Sequence, residues 1–254
     1  MSKALHPGKA AMHGVMAAML AARGFDSSPR VLEASKGFGW VLAGDRNFDV
    51  VAAGLGDRWE MRRNGFKPYA SGVVTHPIID GAIELRNRHG IQSEDVEEVE
   101  ARTNPTVLVP TGKKEPRTGL EGKFSIYHCV AIAIIDGAAR EAQFTDEKVN
   151  NPKAVNLRRR VRIAPEESIS KDEAIVSILL KDGRRLETHV EHASGTELNP
   201  MSNEAMREKF LSLASPTVGE AGAHHVVETV DRIETLPNVG ELVEACVNQR
   251  QRAS

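Results

Sequence analysis

The sequence predicts an α+β protein with helices at both ends and a mixed α/β middle. Apolar residues recur at helical spacing near both ends of the chain, whereas β-branched runs around a turn dipeptide, Asp182-Gly183, indicate strands in the middle. The 254 residues, of which 41% are hydrophobic and 27% charged, suffice for one large domain or two small ones. These proportions exclude a disordered or collagen-like chain.

The N-terminal segment is predicted to begin with a helix from about Pro7 to Ala22. Proline suits the first helical position, and Gly24 is a typical helix stop. Because apolar side chains cover nearly every face of this helix, we expect it to be surrounded by protein. A second helix is predicted over residues 27–34, and a shorter helical piece follows a break at residues 37–40.

The middle segment combines helices and strands, and the C-terminal segment is helical. The predicted elements are helices Pro77–Arg88 and Phe124–Ala139, strand Val96–Thr103, hairpin strands Ala174–Leu180 and Arg184–Val190, and helices Asn203–Ala214, Ala221–Thr235 and Val239–Asn248. The helix over 124–139 is apolar nearly all round and is therefore expected in the core. Pro216 and Pro237 are predicted to separate the last three helices.

Charge and composition exclude several classes of protein. The 33 Lys and Arg residues balance 35 Asp and Glu residues, so the chain has no general basic field for nucleic acid. The arginine run 158–162 is short and is interpreted as a solvated strand face. Cys129 and Cys246 are too few for a disulfide framework or a four-cysteine zinc site, which fits a reducing compartment.

No stretch reaches the roughly 18 uninterrupted apolar residues of a membrane helix, so we predict a cytoplasmic protein without membrane contact. The acid-poor start with Lys3, Lys9 and Arg23 is also typical of a signal or transit peptide. His13 and Gly14 interrupt the apolar stretch, however, which favours a helix inside a protein.

Neither a metal nor a nucleotide cofactor is predicted. His224-His225 has no carboxylate or thiol partner at ligand spacing, so metal ligation is not expected. Gly54-Leu55-Gly56 lacks the third glycine and the strand–helix setting of a dinucleotide-binding loop.

Three places in the sequence put a cation near the predicted start of a helix: Lys3, Lys123 and, before the helix at Pro77, Lys67. Lys3 and His6 precede the first helix, where free backbone N–H groups and the helix dipole favour a carboxylate; the alternative is that both are solvated loop residues. Lys123 and Ser125 stand in the same way before the helix over 124–139. Periodicity does not show whether the three places meet in space.

The segment from Lys67 to His76 combines several side chains that can bind a substrate or transfer a proton. It carries a cation, the phenol of Tyr69, two hydroxyls and an imidazole directly before the helix at Pro77. His76 is a candidate general acid or base and is expected to cap that helix, and Lys67 is a candidate for holding a substrate carboxylate. The alternative interpretation is a capping histidine beside a surface lysine.

Ordered motifs along nearly the whole chain carry a resemblance to a known family. They are KALHPGKAA at 3–11, KPY at 67–69 with His76 and Asp80, GLEGKFS at 119–125, VEHASG at 190–195 and NPMS at 199–202. With these motifs the chain resembles the MmgE/PrpD family, which includes 2-methylcitrate dehydratase, cis-aconitate decarboxylase and iminodisuccinate epimerase.

The resemblance implies a fold in which both chain ends form an all-helical domain and a smaller α/β lid is inserted between them. Family members are about twice as long, and this chain resembles their second half. The implied domains are residues 1–64 (part of the helical domain), 65–199 (the lid) and 200–254 (helices returning to the helical domain). Further acid/base residues of the family lie in the first half.

The resemblance also implies roles for individual residues. Lys3, His6 and His76 are the implied catalytic residues, with Lys3 and Lys67 facing substrate carboxylates across the cleft between domains. The other implied substrate-binding residues are Tyr69, Lys123 and Ser125.

The implied reaction is a cofactor-independent dehydration of a small di- or tricarboxylate, begun by removing a proton next to a carboxylate. In the decarboxylase branch a histidine stands where this chain has Gly72, which argues against decarboxylation here. The alternatives are an epimerase or isomerase of an imino- or hydroxy-dicarboxylate, and a noncatalytic, truncated remnant. The expected partners are the carboxylate and either a second copy in a homodimer or a missing N-terminal half supplied in trans.

Overall fold

The structure is a computed structural model that describes the backbone of residues 2–247 and the side chains of these residues except 2–4 and 52. The described chain combines helices with one four-stranded sheet, which confirms the predicted α+β class. Its α-helices are α1 (Ser2–Ala21), α2 (Phe38–Leu42), α3 (Asp49–Ala52), α4 (His76–His89), α5 (Leu108–Thr111), α6 (Gly119–Gly122), α7 (Ile126–Asp136), α8 (Asp146–Asn150), α9 (Pro152–Arg158), α10 (Asn203–Val218), α11 (Glu220–Asp231) and α12 (Gly240–Ala245). Its strands are β1 (Val96–Thr103), β2 (Val161–Pro165), β3 (Ala174–Leu180) and β4 (Arg185–Val190).

The chain divides after Glu60 into two compact units. The domain boundaries implied at 64/65 and 199/200 stay predictions. Within the described residues, none of the helices combines the length and the apolar character that crossing a bilayer requires.

The first unit begins with α1, which starts earlier than predicted. Pro7 lies inside this helix rather than at its first position. Pro7 is the sixth residue of the helix, beyond the first turn, so its missing N–H removes one backbone hydrogen bond of the helix. The predicted end is confirmed, since Gly24 adopts a left-handed φ of 85° just after the last turn.

The helix predicted over 27–34 is wrong. Residues 29–36 form turns, and the N–H groups of Phe38 and Gly39 donate back to the carbonyls of Val31 and Leu32. A Cβ on Gly37 would lie 2.5 Å from the Val31 carbonyl oxygen, so this close fold-back depends on glycine. The tertiary contact therefore overrides the local helical pattern.

Apolar side chains of α1 lie open to solvent. Leu5, Met12, Val15, Met16 and Met19 are 50–63% exposed. The sequence predicts a helix surrounded by protein, and the described part of the chain does not supply that cover.

The second unit is built on a sheet of order β2-β1-β3-β4. The central strand β1 pairs in parallel with β2, where Val99 lies opposite Val161, and antiparallel with β3, where it lies opposite Ile178. The predicted hairpin is confirmed: β3 and β4 pair antiparallel from Ala174 to Leu179, and Gly183 in the turn has a φ of 89°.

One face of the sheet is covered by α4 and α7, and this layer holds the core. All residues from Ile126 to Ile134 are buried, as predicted for an apolar core helix. The α4 helix ends at the left-handed Gly90, as predicted. Its Gly81 approaches β3 so closely that a Cβ there would lie 2.7 Å from the Val176 side chain. The start of α4 is therefore held firmly on the sheet.

The opposite face of the sheet is polar. The Ser177 hydroxyl donates to Glu187, and Arg162 forms an ion pair with Glu100.

The interpretation of the arginine run as a wholly solvated face is wrong for Arg158, which is 8% exposed and donates to the Val149 carbonyl oxygen at 2.7 Å. This guanidinium lies at the end of α9 and fastens it to α8.

The C-terminal helices differ from prediction at one break. Helix α10 continues through Pro216, and the chain turns instead at Gly219, which has a φ of 79°. Pro216 lies in the last turn, where its missing N–H removes one backbone hydrogen bond of the helix. Asn248, the predicted end of the last helix, lies outside the described residues.

Candidate active site

The segment from Phe66 to His76 is held in place by three backbone hydrogen bonds. Phe66 N–H donates to the Gly195 carbonyl at 2.7 Å, Ala70 N–H to the Ala139 carbonyl at 3.0 Å and Gly72 N–H to the Lys123 carbonyl at 3.1 Å. Each acceptor belongs to a different part of the second unit. The segment therefore has a fixed path although it lacks regular secondary structure over most of its length.

Lys67 is oriented by this segment itself. Its ammonium donates to the Ser71 carbonyl oxygen at 3.1 Å. The Ser71 and Thr75 hydroxyl oxygens lie 2.9 Å apart, and the Thr75 hydroxyl donates to the Gly72 carbonyl at 2.8 Å. These bonds curl residues 67–75 back on themselves and bring the ammonium of Lys67 toward the start of α4.

A second segment, residues 193–197, faces the first. Ala193 N–H donates to the Asp172 carbonyl at 2.8 Å, and Gly195 N–H donates to the Asn199 carbonyl at 2.7 Å. Gly195 has a left-handed φ of 84° and touches the chain at Phe66. The two segments cross at this glycine.

A cleft of about 340 Å³ opens between these segments, within the second unit. Lys67 and His76 line it from the first segment and residues 193–197 from the second, together with Arg63 and Asp172. Two of the sequence-predicted site residues, Lys67 and His76, thus share one cleft. A cation and an imidazole side by side can hold a carboxylate and move a proton beside it.

His76 is the most unusual group in the cleft. Its side chain is 2% exposed, and its Nε2 has no hydrogen-bond partner among the described residues. Burial and the nearby charge of Lys67 lower its pKa to about 4. The imidazole is therefore neutral near pH 7, and the hydrogen-bonding capacity of its buried Nε2 is unused among the described residues.

Helix α4 begins at His76 itself, so the prediction that His76 caps the helix is wrong. Thr75 occupies the cap position, and its side chain makes no capping hydrogen bond. Instead the Thr75 hydroxyl is used within the Lys67–Thr75 turn.

Tyr69 packs between His76 and Asp80. Its ring meets the His76 ring edge-on, with 5.3 Å between centroids, and its hydroxyl donates to Asp80 Oδ1 at 2.5 Å. Burial and the Asp80 carboxylate raise the pKa of the Tyr69 hydroxyl above its usual range. The phenol therefore stays protonated and acts as a hydrogen-bond donor.

Lys123 and Ser125 are not among the residues that line this cleft. The Lys123 ammonium forms an ion pair with Glu141, while the fully buried Ser125 hydroxyl accepts the backbone N–H of His128 and caps α7. The Lys123 backbone carbonyl accepts the N–H of Gly72 in the Lys67–His76 segment. Their predicted roles in substrate binding stay predictions.

Lys3 and His6 belong to the first unit. Both lie inside α1 rather than before it, because the helix begins at Ser2, and this corrects the predicted placement at a helix start. The His6 side chain is exposed, and the Lys3 side chain lies outside the described residues. Their predicted catalytic roles stay predictions.

Three residues that complete the cleft were not predicted from the sequence. Arg63, Asp172 and Glu197 line it, and Arg63 lies 3.4 Å from Glu197. Asp172 is bonded to His192 Nδ1 at 2.9 Å. The glycine at 195 was a usable signal, since a glycine in a polar segment after a strand often marks a sharp turn.

The buried histidines predict a pH dependence of stability. Burial lowers the pKa of His76 and of His128 to about 4, from the usual 6.5. As the pH falls the unfolded chain therefore takes up these protons first. Above about pH 6.5 this difference in pKa costs no stability; the loss grows as the pH falls toward 4 and reaches about 2 kcal/mol per histidine at pH 5.

Urea unfolding at pH 7.5 and at pH 5 measures this dependence. The variants His76→Gln and His128→Gln should each lose less stability on acidification than the parent chain. Equal losses in parent and variants would contradict the assignment of the effect to these two imidazoles.

Family models match both parts of the chain. The model described as the MmgE/PrpD C-terminal domain matches residues 69–235, and the model described as the MmgE/PrpD N-terminal domain matches residues 1–51. The C-terminal match includes Tyr69, His76 and the whole sheet.

Curated relatives are similar along nearly the whole chain. The cis-aconitate decarboxylase of Mus musculus is 25% identical over 255 residues, covering 95% of this chain and 51% of the relative. The cis-aconitate decarboxylase of Homo sapiens is 24% identical over 95% of this chain and 52% of its own length, and that of Aspergillus terreus is 24% identical over 96% and 54%. The chain spans about half the length of the curated relatives it matches.

Proposed function

Because the chain belongs to the MmgE/PrpD family, we propose that it supplies the C-terminal part of a cofactor-independent lyase. The proposed enzyme dehydrates a small di- or tricarboxylate, as a 2-methylcitrate dehydratase does, by removing a proton next to a carboxylate. The similarity to cis-aconitate decarboxylases supports a lyase acting on this class of substrate.

The observation that carries the proposal is the shared cleft of Lys67 and His76. A substrate carboxylate placed there meets the Lys67 ammonium, with the Arg63 guanidinium on the same lining. The unpartnered Nε2 of His76 supplies a neutral base at the same place. Cations beside a carboxylate and a base beside its α-carbon are what proton abstraction needs.

In the proposed reaction, the base takes the proton from the carbon next to the carboxylate. The electrons of that C–H bond form the new C=C bond, and the C–O bond on the neighbouring carbon breaks. The leaving hydroxide takes up a proton and departs as water. Lys67 stabilises the extra negative charge that the substrate carboxylate gains in the transition state, and this stabilisation lowers the barrier.

Gly72 supports dehydration over decarboxylation. It lies at the centre of the Lys67–His76 segment, where the family resemblance implies a histidine in the decarboxylase branch. Its backbone is extended, and an added Cβ would lie 3.2 Å from the Thr111 side chain. In this chain the position offers no acid or base.

Incubation of the purified chain with 2-methylcitrate, citrate and cis-aconitate tests the reaction. Dehydration is expected to produce ultraviolet absorbance from the new double bond, which His76→Gln removes. Release of carbon dioxide from cis-aconitate would contradict dehydration and identify a decarboxylase. A change of stereochemistry without a new double bond would contradict it and identify an epimerase.

A noncatalytic binding module is the second candidate, favoured by the exposed apolar side chains of α1. Such a chain would bind carboxylates and a partner, either a second copy or a separate N-terminal half, without turnover. Calorimetry with tricarballylate, a tricarboxylate that has no hydroxyl to lose, separates the two. Binding of tricarballylate without turnover of any of the three substrates favours the binding module. The absence of both tricarballylate binding and turnover contradicts the proposed carboxylate site.

A further inference from the structure

We propose that Asp80 is a positioning residue, which holds the Tyr69 ring against His76 and ties the two walls of the cleft to helix α4. The inference rests on the proposed function for its catalytic meaning. Its structural content, the fixing of His76 by Asp80 through Tyr69, can be measured without a substrate.

Both oxygens of the Asp80 carboxylate are used, and each holds a different segment. Oδ1 accepts the Tyr69 hydroxyl at 2.5 Å, and Oδ2 accepts the backbone N–H of Ser194 at 2.7 Å. Tyr69 belongs to the Lys67–His76 segment and Ser194 to residues 193–197, the two segments that line the cleft. One side chain therefore sets the spacing of both walls.

Asp80 and His76 lie four residues apart on α4, so they occupy the same face of that helix. Tyr69 spans the two: its hydroxyl is bonded to Asp80, and its ring edge packs on the His76 ring. Without the bond to Asp80 the ring of Tyr69 has no polar anchor. His76 would then lose part of the cover that keeps it at 2% exposure.

The groups around His76 make the positioning role distinguishable from a purely electrostatic one. The charges of Lys67 and Lys209 lower the pKa of His76, together with its burial, and a backbone hydrogen bond to Ser71 raises it. Asp80 is not among the charges that shift this pKa, and removing a negative charge can by itself only lower the pKa of an imidazole. Releasing Tyr69 and admitting water would raise that pKa toward 6.5. The two roles thus predict opposite signs.

NMR titration of the histidine ring signals in the full chain, with variants of Asp80 and Tyr69, measures this sign. Asp80→Asn removes the charge but keeps an oxygen for Ser194 N–H, and Tyr69→Phe keeps the ring but removes the hydroxyl. Each is expected to raise the pKa of His76 by about one unit or more, from about 4 toward 6.5. Because both substitutions act through one contact, the pKa shift of His76 in the double variant should be only slightly larger than the larger of the two single-variant shifts.

Asp136→Asn is the matched control. Its carboxylate is also well shielded, with 17% of the side chain exposed, and it pairs with Lys148 at the far end of α7. It should leave the pKa of His76 unchanged while lowering stability.

An unchanged or lowered pKa of His76 in both Asp80→Asn and Tyr69→Phe would overturn the positioning role. If Asp80→Asn does not fold, Tyr69→Phe alone decides. Raised pKa values in a chain that turns over no carboxylate would support the positioning role while contradicting the proposed reaction, so the two failures are separable.

Discussion

Replacing Gly195 with alanine is expected to destabilise the second unit strongly and to disrupt the cleft. The residue has a φ of 84°, where a side chain is strained, and its added Cβ would lie 1.8 Å from the Phe66 carbonyl oxygen and 3.0 Å from Pro68. Neither neighbour can move freely, because Phe66 N–H is bonded to the Gly195 carbonyl itself. We expect a loss of about 3–5 kcal/mol in the free energy of unfolding.

The hairpin turn offers a matched control for this prediction. Gly183 has nearly the same φ, 89°, but a Cβ there would meet nothing within 4 Å. Gly183→Ala should therefore cost only the backbone strain, about 1 kcal/mol. Thermal unfolding of both variants measures the difference, and equal losses would show that the close approach at Phe66 contributes nothing.

Replacing Lys67 with alanine is expected to weaken carboxylate binding and turnover by about 10- to 100-fold. A charge-assisted hydrogen bond to a carboxylate contributes about 1.5–3 kcal/mol, and the Lys67 ammonium is the cation next to His76 in the cleft. The variant removes the positive charge that the proposed reaction needs most. The parent and variant are compared by calorimetry with tricarballylate and by the rate of 2-methylcitrate dehydration.

Two further lysine variants give the control for Lys67. Lys67→Arg keeps the charge and should retain part of the binding. Lys153→Ala removes a surface lysine that pairs with Glu94 and should change neither binding nor rate. Tricarballylate affinity that is the same in the parent chain and in Lys67→Ala would remove Lys67 from the substrate site.

Elements with local signals could be predicted from the sequence. The hairpin follows from Asp182-Gly183 between two apolar runs, and the helix over 76–89 from its periodicity and the glycine at its end. Of strand β2 the sequence indicated only a strand face at the arginine run, and not its extent or its pairing, because it is five residues long and carries an arginine at its second position. What makes it a strand is its parallel pairing with β1, a distant segment.

In the candidate site, too, residues that are close in the sequence could be predicted together, whereas residues from distant segments could not. Lys67 and His76 could be grouped from the sequence because they are near one another in it. Asp172 and Glu197 come from much later in the chain, and only the crossing at Gly195 brings them to the cleft. The role of Asp80 also needed the structure, since no spacing rule indicates that its second oxygen meets the Ser194 N–H.

The strand order also bears on how this protein is made. Strand β1 lies at the centre of the sheet, yet both of its partners follow it, and Leu180 at the end of β3 comes 77 residues after Thr103. At a synthesis rate of about 5–20 residues per second, a nascent chain needs about 4–15 s after β1 to complete β3, its antiparallel partner. During this interval the edge of β1 that pairs with β3 is open, which makes β1 a segment that a chaperone has reason to shield.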